Sequence, residues 1–96
     1  MKLAYSPQAV ADLQRLYEFI VDKSPLSARK AAIEIQESAE KLKLFPKIGL
    51  PVSRNTTSSE IRDLYAGNYT LRYQIADNDT LYVLRIWHNK EIEKDL

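Results

Sequence analysis

The stretch AGNYTLRYQI, Ala66–Ile75, decides the fold because it joins a tight turn to a strand of period two. Gly67-Asn68 is a two-residue hairpin signal with glycine first, which suits a type II′ turn. Apolar and polar residues then alternate, as in a strand with one buried face. The apolar positions are Tyr69, Leu71, Tyr73 and Ile75, and the polar ones between them are Thr70, Arg72 and Gln74.

Two more strands flank this one. Residues 61–66 precede the turn, and Asp77-Asn78-Asp79 turns the chain again before residues 80–88. The last segment is apolar on both faces, which favours a central strand. The sequence therefore predicts a three-stranded antiparallel meander over residues 61–88, followed by a charged tail at residues 89–96.

The N-terminal half has helical periodicity. Residues 1–5 alternate like a short strand, and Ser6-Pro7 then gives a cap with proline at the first helical position. Ser24-Pro25 repeats this chemistry, so we expect helices over 7–22 and 25–45, the second ended by Pro46. The predicted buried stripes are Val10, Leu13, Tyr17, Ile20 and Val21 in the first helix, and Ala28, Ala32, Ile35, Ala39, Leu42 and Phe45 in the second.

This order predicts a single α+β domain. An N-terminal strand and an antiparallel helical hairpin should pack on one face of an antiparallel sheet of about four strands. The other face, with its Arg and Tyr residues, would stay free to bind something. Residues 46–60 form a long polar loop, and such loops are often functional.

Composition excludes several classes of function. The chain of 96 residues has a net charge of +1, evenly spread, so no basic footprint for strong nucleic-acid binding is visible. It has no cysteine, no long apolar segment and no apolar leader at the N-terminus, so a cytoplasmic location without membrane contact is expected. One histidine, no cysteine and two glycines argue against a metal site or a phosphate loop, and no cofactor is expected.

His88 is the single histidine and ends the stretch LRIWH, so it is the obvious candidate for a catalytic base. The chemistry that fits the inventory is metal-free RNA cleavage by Arg, Tyr and His side chains. If the protein is a nuclease, Arg72, Arg85 and His88 are the candidates. The alternative is that His88 only marks the end of a strand, and that the strand arginines only solvate an open face.

Ile33 and Leu44 do not fit the buried stripe of the second helix. Single exposed apolar residues are normal, so one interpretation gives them no role. The other is that this face of the helix meets a partner.

Four segments together resemble the RelE/ParE superfamily of toxins from bacterial toxin–antitoxin modules. They are YSPQAVADLQRLYEFI (5–20), KLKLFPKIGLPV (41–52), YTLRYQI (69–75) and LYVLRIWHNKE (81–91). The resemblance implies two N-terminal helices on an antiparallel sheet, in agreement with the order above. The superfamily divides by target. RelE-like members cut mRNA on the ribosome, whereas ParE-like members inhibit DNA gyrase and lack the nuclease residues.

The nuclease positions of the family are not matched in this chain. In the RelE pattern a catalytic Arg follows the aromatic that opens the strand, where this chain has Thr70. A basic residue should follow the last strand, where Asn89 stands and Lys90 is one place out of register. The RelE pattern also expects a tyrosine near the C-terminus, and this chain has none. A related nuclease branch uses Glu, His and a terminal Tyr, and this chain lacks that Tyr as well. The chain resembles the ParE branch more closely.

The resemblance therefore implies a non-enzymatic gyrase inhibitor, neutralised in a hetero-oligomer by a cognate, ParD-like antitoxin. The candidate target-binding residues are Lys47, Arg54, Arg62, Arg72 and Lys90. Leu16, Ile33 and Leu44 are the candidates for antitoxin contact, since an antitoxin helix laid across the hairpin would meet them. A RelE-like ribonuclease is the alternative, and a non-toxic binding module is a third possibility.

Overall fold

The computed structural model describes residues 1–52, 60–76 and 78–91. It contains β1 (Lys2–Tyr5), α1 (Pro7–Val21), α2 (Pro25–Leu44), β2 (Leu50–Pro51), β3 (Glu60–Ala66), β4 (Tyr69–Ile75) and β5 (Thr80–His88). The α+β class and the element order agree with the prediction. Arg54, Asp77 and the tail from residue 92 onward lie outside the described residues.

The sheet has five strands in the order β1-β5-β4-β3-β2. The meander β3-β4-β5 is antiparallel as predicted, and β5 is indeed central because β1 pairs with its outer side. Two details differ from the expectation. β1 runs parallel to β5, with Leu3 opposite Leu81, so the sheet is mixed. The predicted loop contains β2, which pairs Leu50 with Asp63 at the far edge.

The hairpin between β3 and β4 forms as its sequence predicts. Ala66 pairs with Tyr69 across Gly67-Asn68. Gly67 has a φ of +60°, and Asn68 is not among the residues with positive φ. Positive φ at the first turn position alone distinguishes type II′ from type I′. This turn fixes the register of the strands on both sides of it.

Both helices begin where their caps predict. The Ser6 hydroxyl accepts a hydrogen bond from the Ala9 N–H, and the Ser24 hydroxyl accepts one from the Ser27 N–H. Proline occupies the first helical position each time. The helices pack on each other across a three-residue connection, which makes them antiparallel.

The predicted stripe of α1 is right only in part, since Leu13 and Ile20 pack against the core as predicted. Ala9, Asp12 and Leu16 are its buried residues, whereas Val10 and Tyr17 are exposed. Leu16 is only 5% exposed and belongs to the core. The expectation that it lies on an exposed surface facing the antitoxin is therefore wrong. In α2 the prediction is better, since Ala28, Ile35, Ala39 and Leu42 are buried. Phe45 is exposed instead, because the helix ends at Leu44.

Where β1 ends, helix α1 lies along the outer edge of β5. The Ser6 N–H donates to the Val83 carbonyl, and the Ser6 hydroxyl donates to the Leu84 carbonyl. Beyond this point Asp12 accepts a hydrogen bond from the Ile86 N–H at 2.9 Å. The outer edge of β5 is thus satisfied first by a strand and then by a helix side chain, which explains why an aspartate occupies the buried face of α1.

Candidate target- and antitoxin-binding surfaces

Arg72 is buried in an ion pair and does not lie on an open surface. Its guanidinium donates to both carboxylate oxygens of Asp63, with Nε–Oδ1 at 2.7 Å and Nη2–Oδ2 at 2.8 Å. It also lies 5.2 Å from the centroid of the Trp87 ring. At 5% exposure it cannot reach a target without breaking these contacts, so the expectation that it is an exposed cation is wrong, and its role in target binding stays a prediction.

Arg85 is held by helix α1 at the outer edge of β5. It stands opposite Arg72 in the strand register, yet its Nε and Nη2 donate to Asp12 of α1 at 2.8 and 3.0 Å. Burial alone would raise the pKa of Asp12. The hydrogen bonds from Arg85 and the Ile86 N–H, with the charges of Arg85 and Arg15, outweigh burial and lower this pKa below its ordinary value. Asp12 is therefore a carboxylate that holds α1 against β5.

His88 ends β5, as the structural interpretation of the sequence expected. Its Nδ1 accepts a hydrogen bond from the Lys90 N–H at 3.1 Å, and its own N–H donates to Glu91 at 2.7 Å. The ring meets Tyr69 edge-on, with centroids 5.3 Å apart. Because Nδ1 is an acceptor, the proton of the neutral ring is on Nε2. His88 thus caps the turn that follows the strand, and Glu91 ties that turn to Arg15 at 2.8 Å.

Thr70 and Asn89 lie in direct contact. The Thr70 hydroxyl donates to Asn89 Oδ1 at 2.5 Å. The Asn89 N–H donates to the Asn68 carbonyl, and its side-chain amide donates to the Gly67 carbonyl at 3.4 Å. Asn89 therefore fastens the β3-β4 turn to the end of β5. These are the two positions at which the family resemblance places catalytic cations in the nuclease branch.

The loop after α2 is clamped to the sheet. The Tyr73 hydroxyl donates to the Pro46 carbonyl at 2.7 Å and accepts from the Gly49 N–H at 3.0 Å. Arg62 donates to the carbonyls of Lys47 and Gly49 and pairs with Glu60. A Cβ on Gly49 would lie 2.7 Å from the Tyr73 hydroxyl, so only glycine fits there. Burial raises the pKa of Tyr73, with the Gly49 hydrogen bond opposing, so the phenol stays neutral.

Arg62 is consequently a residue that positions the loop, contrary to its prediction as a free surface cation. Lys47 and Lys90 are exposed as predicted, and neither ammonium group has a salt bridge within the described part of the chain. The predicted target-binding set is thus not a single cluster. Lys47 lies beside β2, and Lys90 follows β5 at the hairpin end of the sheet.

Ile33 and Leu44 are exposed on α2, as the sequence predicted, and Leu44 reaches 77%. Leu44 opens a run of exposed apolar side chains at the end of α2 and in the clamped loop. The others are Phe45, Ile48 and Leu50. Several large apolar residues this close together are more than scattered surface positions, and such patches mark interaction sites.

Within residues 1–52, 60–76 and 78–91, no three acidic or histidine side chains are grouped to hold a metal ion. Neither described helix is long and apolar enough to cross a membrane.

Comparison with known proteins assigns the family. The family described as the ParE toxin of the type II toxin–antitoxin system, parDE, matches residues 3–93. The chain belongs to this family. This ParE-family chain is also 27% identical over 88 residues to Toxin RelE2 of Caulobacter vibrioides. The match covers 91% of this chain and 93% of the relative.

Solved structures share the fold of this ParE-family chain. The chromosomal ParDE system of P. aeruginosa matches with a TM-score of 0.73 at 23% identity, covering 92% of this chain and 95% of that one. The toxin–antitoxin complex RelBE2 of Mycobacterium tuberculosis matches with a TM-score of 0.65 at 24% identity, covering 91% and 95%. The family match and the relative Toxin RelE2 confirm the resemblance to the RelE/ParE superfamily, and these structures confirm the fold.

Sequence reasoning missed the acidic partners of the arginines. The Asp63–Arg72 pair was within reach, because a two-residue hairpin joining Ala66 to Tyr69 places residue 63 opposite residue 72. Asp12 was harder to find. Its carboxylate meets Arg85, 73 positions away, and no local pattern reports such a contact.

Proposed function

We propose that this ParE-family toxin acts by binding DNA gyrase and not by cutting RNA. The observation that carries the proposal is the hydrogen bond between Thr70 and Asn89. In the nuclease branch, the family resemblance assigns cations to these two positions. In this chain two neutral side chains occupy them and satisfy each other.

The cations elsewhere on the sheet support the same conclusion. General acid–base catalysis needs donors and acceptors within hydrogen-bond reach of a common substrate atom. Arg72 and Arg85 begin side by side on β4 and β5, yet Asp63 and Asp12 hold their guanidinium groups apart. His88 uses Nδ1 to cap its own turn. Recruiting Arg72 or Arg85 for chemistry would require breaking its ion pair with Asp63 or Asp12.

The proposed contact with gyrase uses Lys47 and the apolar residues beside it. Four hydrogen bonds from Tyr73, Arg62 and Gly49 fix the backbone of this loop, while its side chains remain exposed. A preorganised loop loses little conformational entropy on binding, which raises affinity. Lys90 would add a second, separate contact. Arg54 stays a candidate that lies outside the described residues.

The proposed partner in the resting state is a cognate antitoxin. The P. aeruginosa and M. tuberculosis neighbours are, by their descriptions, a ParDE system and a toxin–antitoxin complex. On this chain Ile33 and Leu44 are exposed and suited to contact it, whereas Leu16 would act only indirectly, by holding α1 in place.

The test is a DNA supercoiling assay with purified toxin, gyrase and relaxed plasmid. The unaltered chain should inhibit supercoiling. Lys47→Glu should weaken inhibition at least tenfold, because it reverses charge without touching the loop's hydrogen bonds. Lys2→Glu on β1 is the matched control, and it should inhibit like the unaltered chain. Supercoiling that continues at every toxin concentration would reject the proposal.

A RelE-like ribonuclease is the second candidate, and one observation favours it. The relative at 27% identity is named Toxin RelE2. Under this alternative, ribosome-bound mRNA would be cleaved, and Arg85→Ala or His88→Ala would abolish cleavage. Intact transcripts in the presence of folded toxin would exclude it.

A further inference from the structure

Three hydrogen bonds around His88 hold the turn that follows β5. The Glu91 N–H donates to the His88 carbonyl at 2.9 Å and closes the turn. The His88 N–H donates to Glu91 Oε1 at 2.7 Å, and the Lys90 N–H donates to His88 Nδ1 at 3.1 Å. The first two bonds use the main chain of His88 and do not depend on its ring. The bond from Lys90 does, because Nδ1 accepts only while it carries no proton.

The hydrogen bond from Lys90 cannot survive protonation of the ring. An imidazolium carries a hydrogen on both of its nitrogens, so the Nδ1–H would face the Lys90 N–H as donor against donor. Rotating the ring restores nothing, since neither nitrogen can accept any longer. Within the described residues the Lys90 N–H has no second acceptor. The ring and the main chain of Lys90 would therefore have to move apart.

The charged groups beside the ring do not offset such a proton. In the groove that His88 lines between α1 and the end of β5, the charged side chains are Arg15, Lys90 and Glu91. Glu91 is the acid among them, and Arg15 binds its Oε2 at 2.8 Å. Its Oε1 is occupied by the His88 N–H. A proton on His88 would thus place a second positive charge next to Lys90, with the one carboxylate of the groove already in use.

The neighbouring strand and helix contribute Tyr69 and Ser27 to the same groove. Tyr69 meets the ring edge-on, with the centroids 5.3 Å apart. Burial, and then the charge of Glu34 on α2, raise the pKa of Tyr69 above its ordinary value of 10.0, so the phenol stays neutral. The chain has a single histidine, and histidine is the side chain whose charge ordinarily changes between about pH 5 and 8. A change of this turn in that range is therefore attributed to the ring.

Lys90 lies between two residues that are fixed independently of the ring. The Asn89 N–H donates to the Asn68 carbonyl, and the Glu91 carboxylate binds Arg15. The N–H of Lys90 bonds to the histidine ring alone, and its ammonium group has no salt bridge within the described part of the chain. Losing the bond to the ring should therefore loosen Lys90 and leave its two neighbours in place.

We propose that His88 is a pH-sensitive switch that orders Lys90. While the ring is neutral, Nδ1 holds the main chain of Lys90, and the turn presents the ammonium group in one position. When the ring is protonated, this hydrogen bond breaks and Lys90 becomes mobile. A residue that must be ordered on binding lowers affinity. Because Lys90 is a candidate contact for gyrase, acidification should weaken that contact. Only this last step rests on the proposed function.

The direct test is nuclear magnetic resonance of the full chain labelled with ¹⁵N. The nitrogen shifts of the single histidine ring identify one pH at which it is neutral and one at which it is protonated. An N–H···N hydrogen bond transmits a scalar coupling between its two nitrogens. The coupling between the Lys90 amide and His88 Nδ1 should be present with the neutral ring and absent with the protonated one.

Amide exchange measures the same change at the main chain. Relative to the intrinsic exchange rate at each pH, protection of the Lys90 amide should fall at least fivefold when the ring is protonated. The Asn89 amide is the internal control and should change less than twofold, because its bond to Asn68 does not involve the ring. Asp12 does not confuse the comparison, since the hydrogen bonds from Arg85 and the Ile86 N–H lower its pKa and keep it ionised.

Two variants separate the ring from every other group that titrates. His88→Asn keeps an acceptor without the change of charge, because an asparagine oxygen accepts from the N–H two residues further on. Protection of the Lys90 amide should then be equal at both pH values. His88→Ala has no acceptor, and the Lys90 amide should be unprotected at both. Circular dichroism checks that each variant is folded.

The supercoiling assay tests the consequence for the target. Between about pH 8 and about pH 6.5, the concentration needed for inhibition should rise at least threefold for the unaltered chain relative to His88→Asn. The ratio removes any effect of pH on gyrase itself. An unchanged ratio would overturn the link between the switch and the target. If neither protein inhibits gyrase, the proposed function fails, and the resonance measurements still decide the switch.

Three results would overturn the switch itself. The first is no coupling between the two nitrogens while the ring is neutral. The second is the same loss of Lys90 protection in His88→Asn as in the unaltered chain, which would assign the change to another group. The third is a ring that stays neutral until the chain unfolds.

Discussion

Replacing Asp12 by alanine should destabilise this protein more than any comparable change on the helix surface. Asp12 accepts three hydrogen bonds, two from Arg85 and one from the Ile86 N–H. Alanine would leave a buried N–H without a partner, which costs about 1–3 kcal/mol. It would also break an ion pair, and for fully buried pairs that costs about 3–5 kcal/mol.

The lower part of that range applies here. The Arg85 side chain is 22% exposed, so water can partly solvate its guanidinium once Asp12 is gone. We expect a loss of about 3 kcal/mol in the free energy of unfolding. A domain of this size has a total stability of about 5–14 kcal/mol. The same loss should lower Tm by about 12–24 °C.

Urea unfolding followed by the fluorescence of Trp87 measures the change. Glu40→Ala is the matched control, since it removes a carboxylate from an exposed ion pair on α2 with Lys43. It should change the free energy of unfolding by less than about 1 kcal/mol. Equal effects of Asp12→Ala and Glu40→Ala would refute the structural role assigned to Asp12.

The pH dependence of stability gives a second test of Asp12. Its pKa is lowered in the folded state, so the unfolded chain takes up the proton first as the pH falls. The stabilisation is complete well above the ordinary value of 3.8 and is lost as the pH falls through and below it. Asp12→Asn should be less stable at neutral pH and should lose less stability on acidification. Parallel pH profiles for the two proteins would contradict this assignment.

Three further predictions concern the other contacts. Asp63→Ala should destabilise the chain by about 3–5 kcal/mol in urea unfolding, because Arg72 is left buried and unpaired. The double variant Asp63→Ala/Arg72→Met should recover much of the loss, and no recovery would contradict the role assigned to this pair. Asn89→Ala should cost about 1–2 kcal/mol by losing the Thr70 and Gly67 hydrogen bonds, and a neutral result would remove its role as a fastener. Tyr73→Phe should cost about 2 kcal/mol and weaken gyrase inhibition although Lys47 is intact, since the loop loses its clamp; undiminished inhibition would separate the clamp from function.

The local rules of the sequence predicted most of the fold. Ser6-Pro7 and Ser24-Pro25 located both helix starts, and Gly67-Asn68 located the turn, because caps and tight turns depend on a few neighbouring residues. The parallel pairing of β1 with β5 was not predicted, since it joins residues almost 80 positions apart.

The candidate site was predicted less well, for a physical reason. An arginine in a strand looks the same in sequence whether it is solvated or paired. Only the position of Asp12 in the fold shows that Arg85 is engaged. The exposed positions Ile33, Leu44, Lys47 and Lys90 were predicted correctly, because solvent exposure follows from the helix period and from loop composition.

The most direct test of the central claim sets two activities of one purified sample side by side. Gyrase cleavage complexes are measured on plasmid DNA, and mRNA cleavage is measured on translating ribosomes. The account predicts that cleavage complexes accumulate while the transcripts stay intact. Cut transcripts and an undisturbed gyrase would contradict it, and would show that Arg72, Arg85 and His88 can leave their structural contacts to do chemistry.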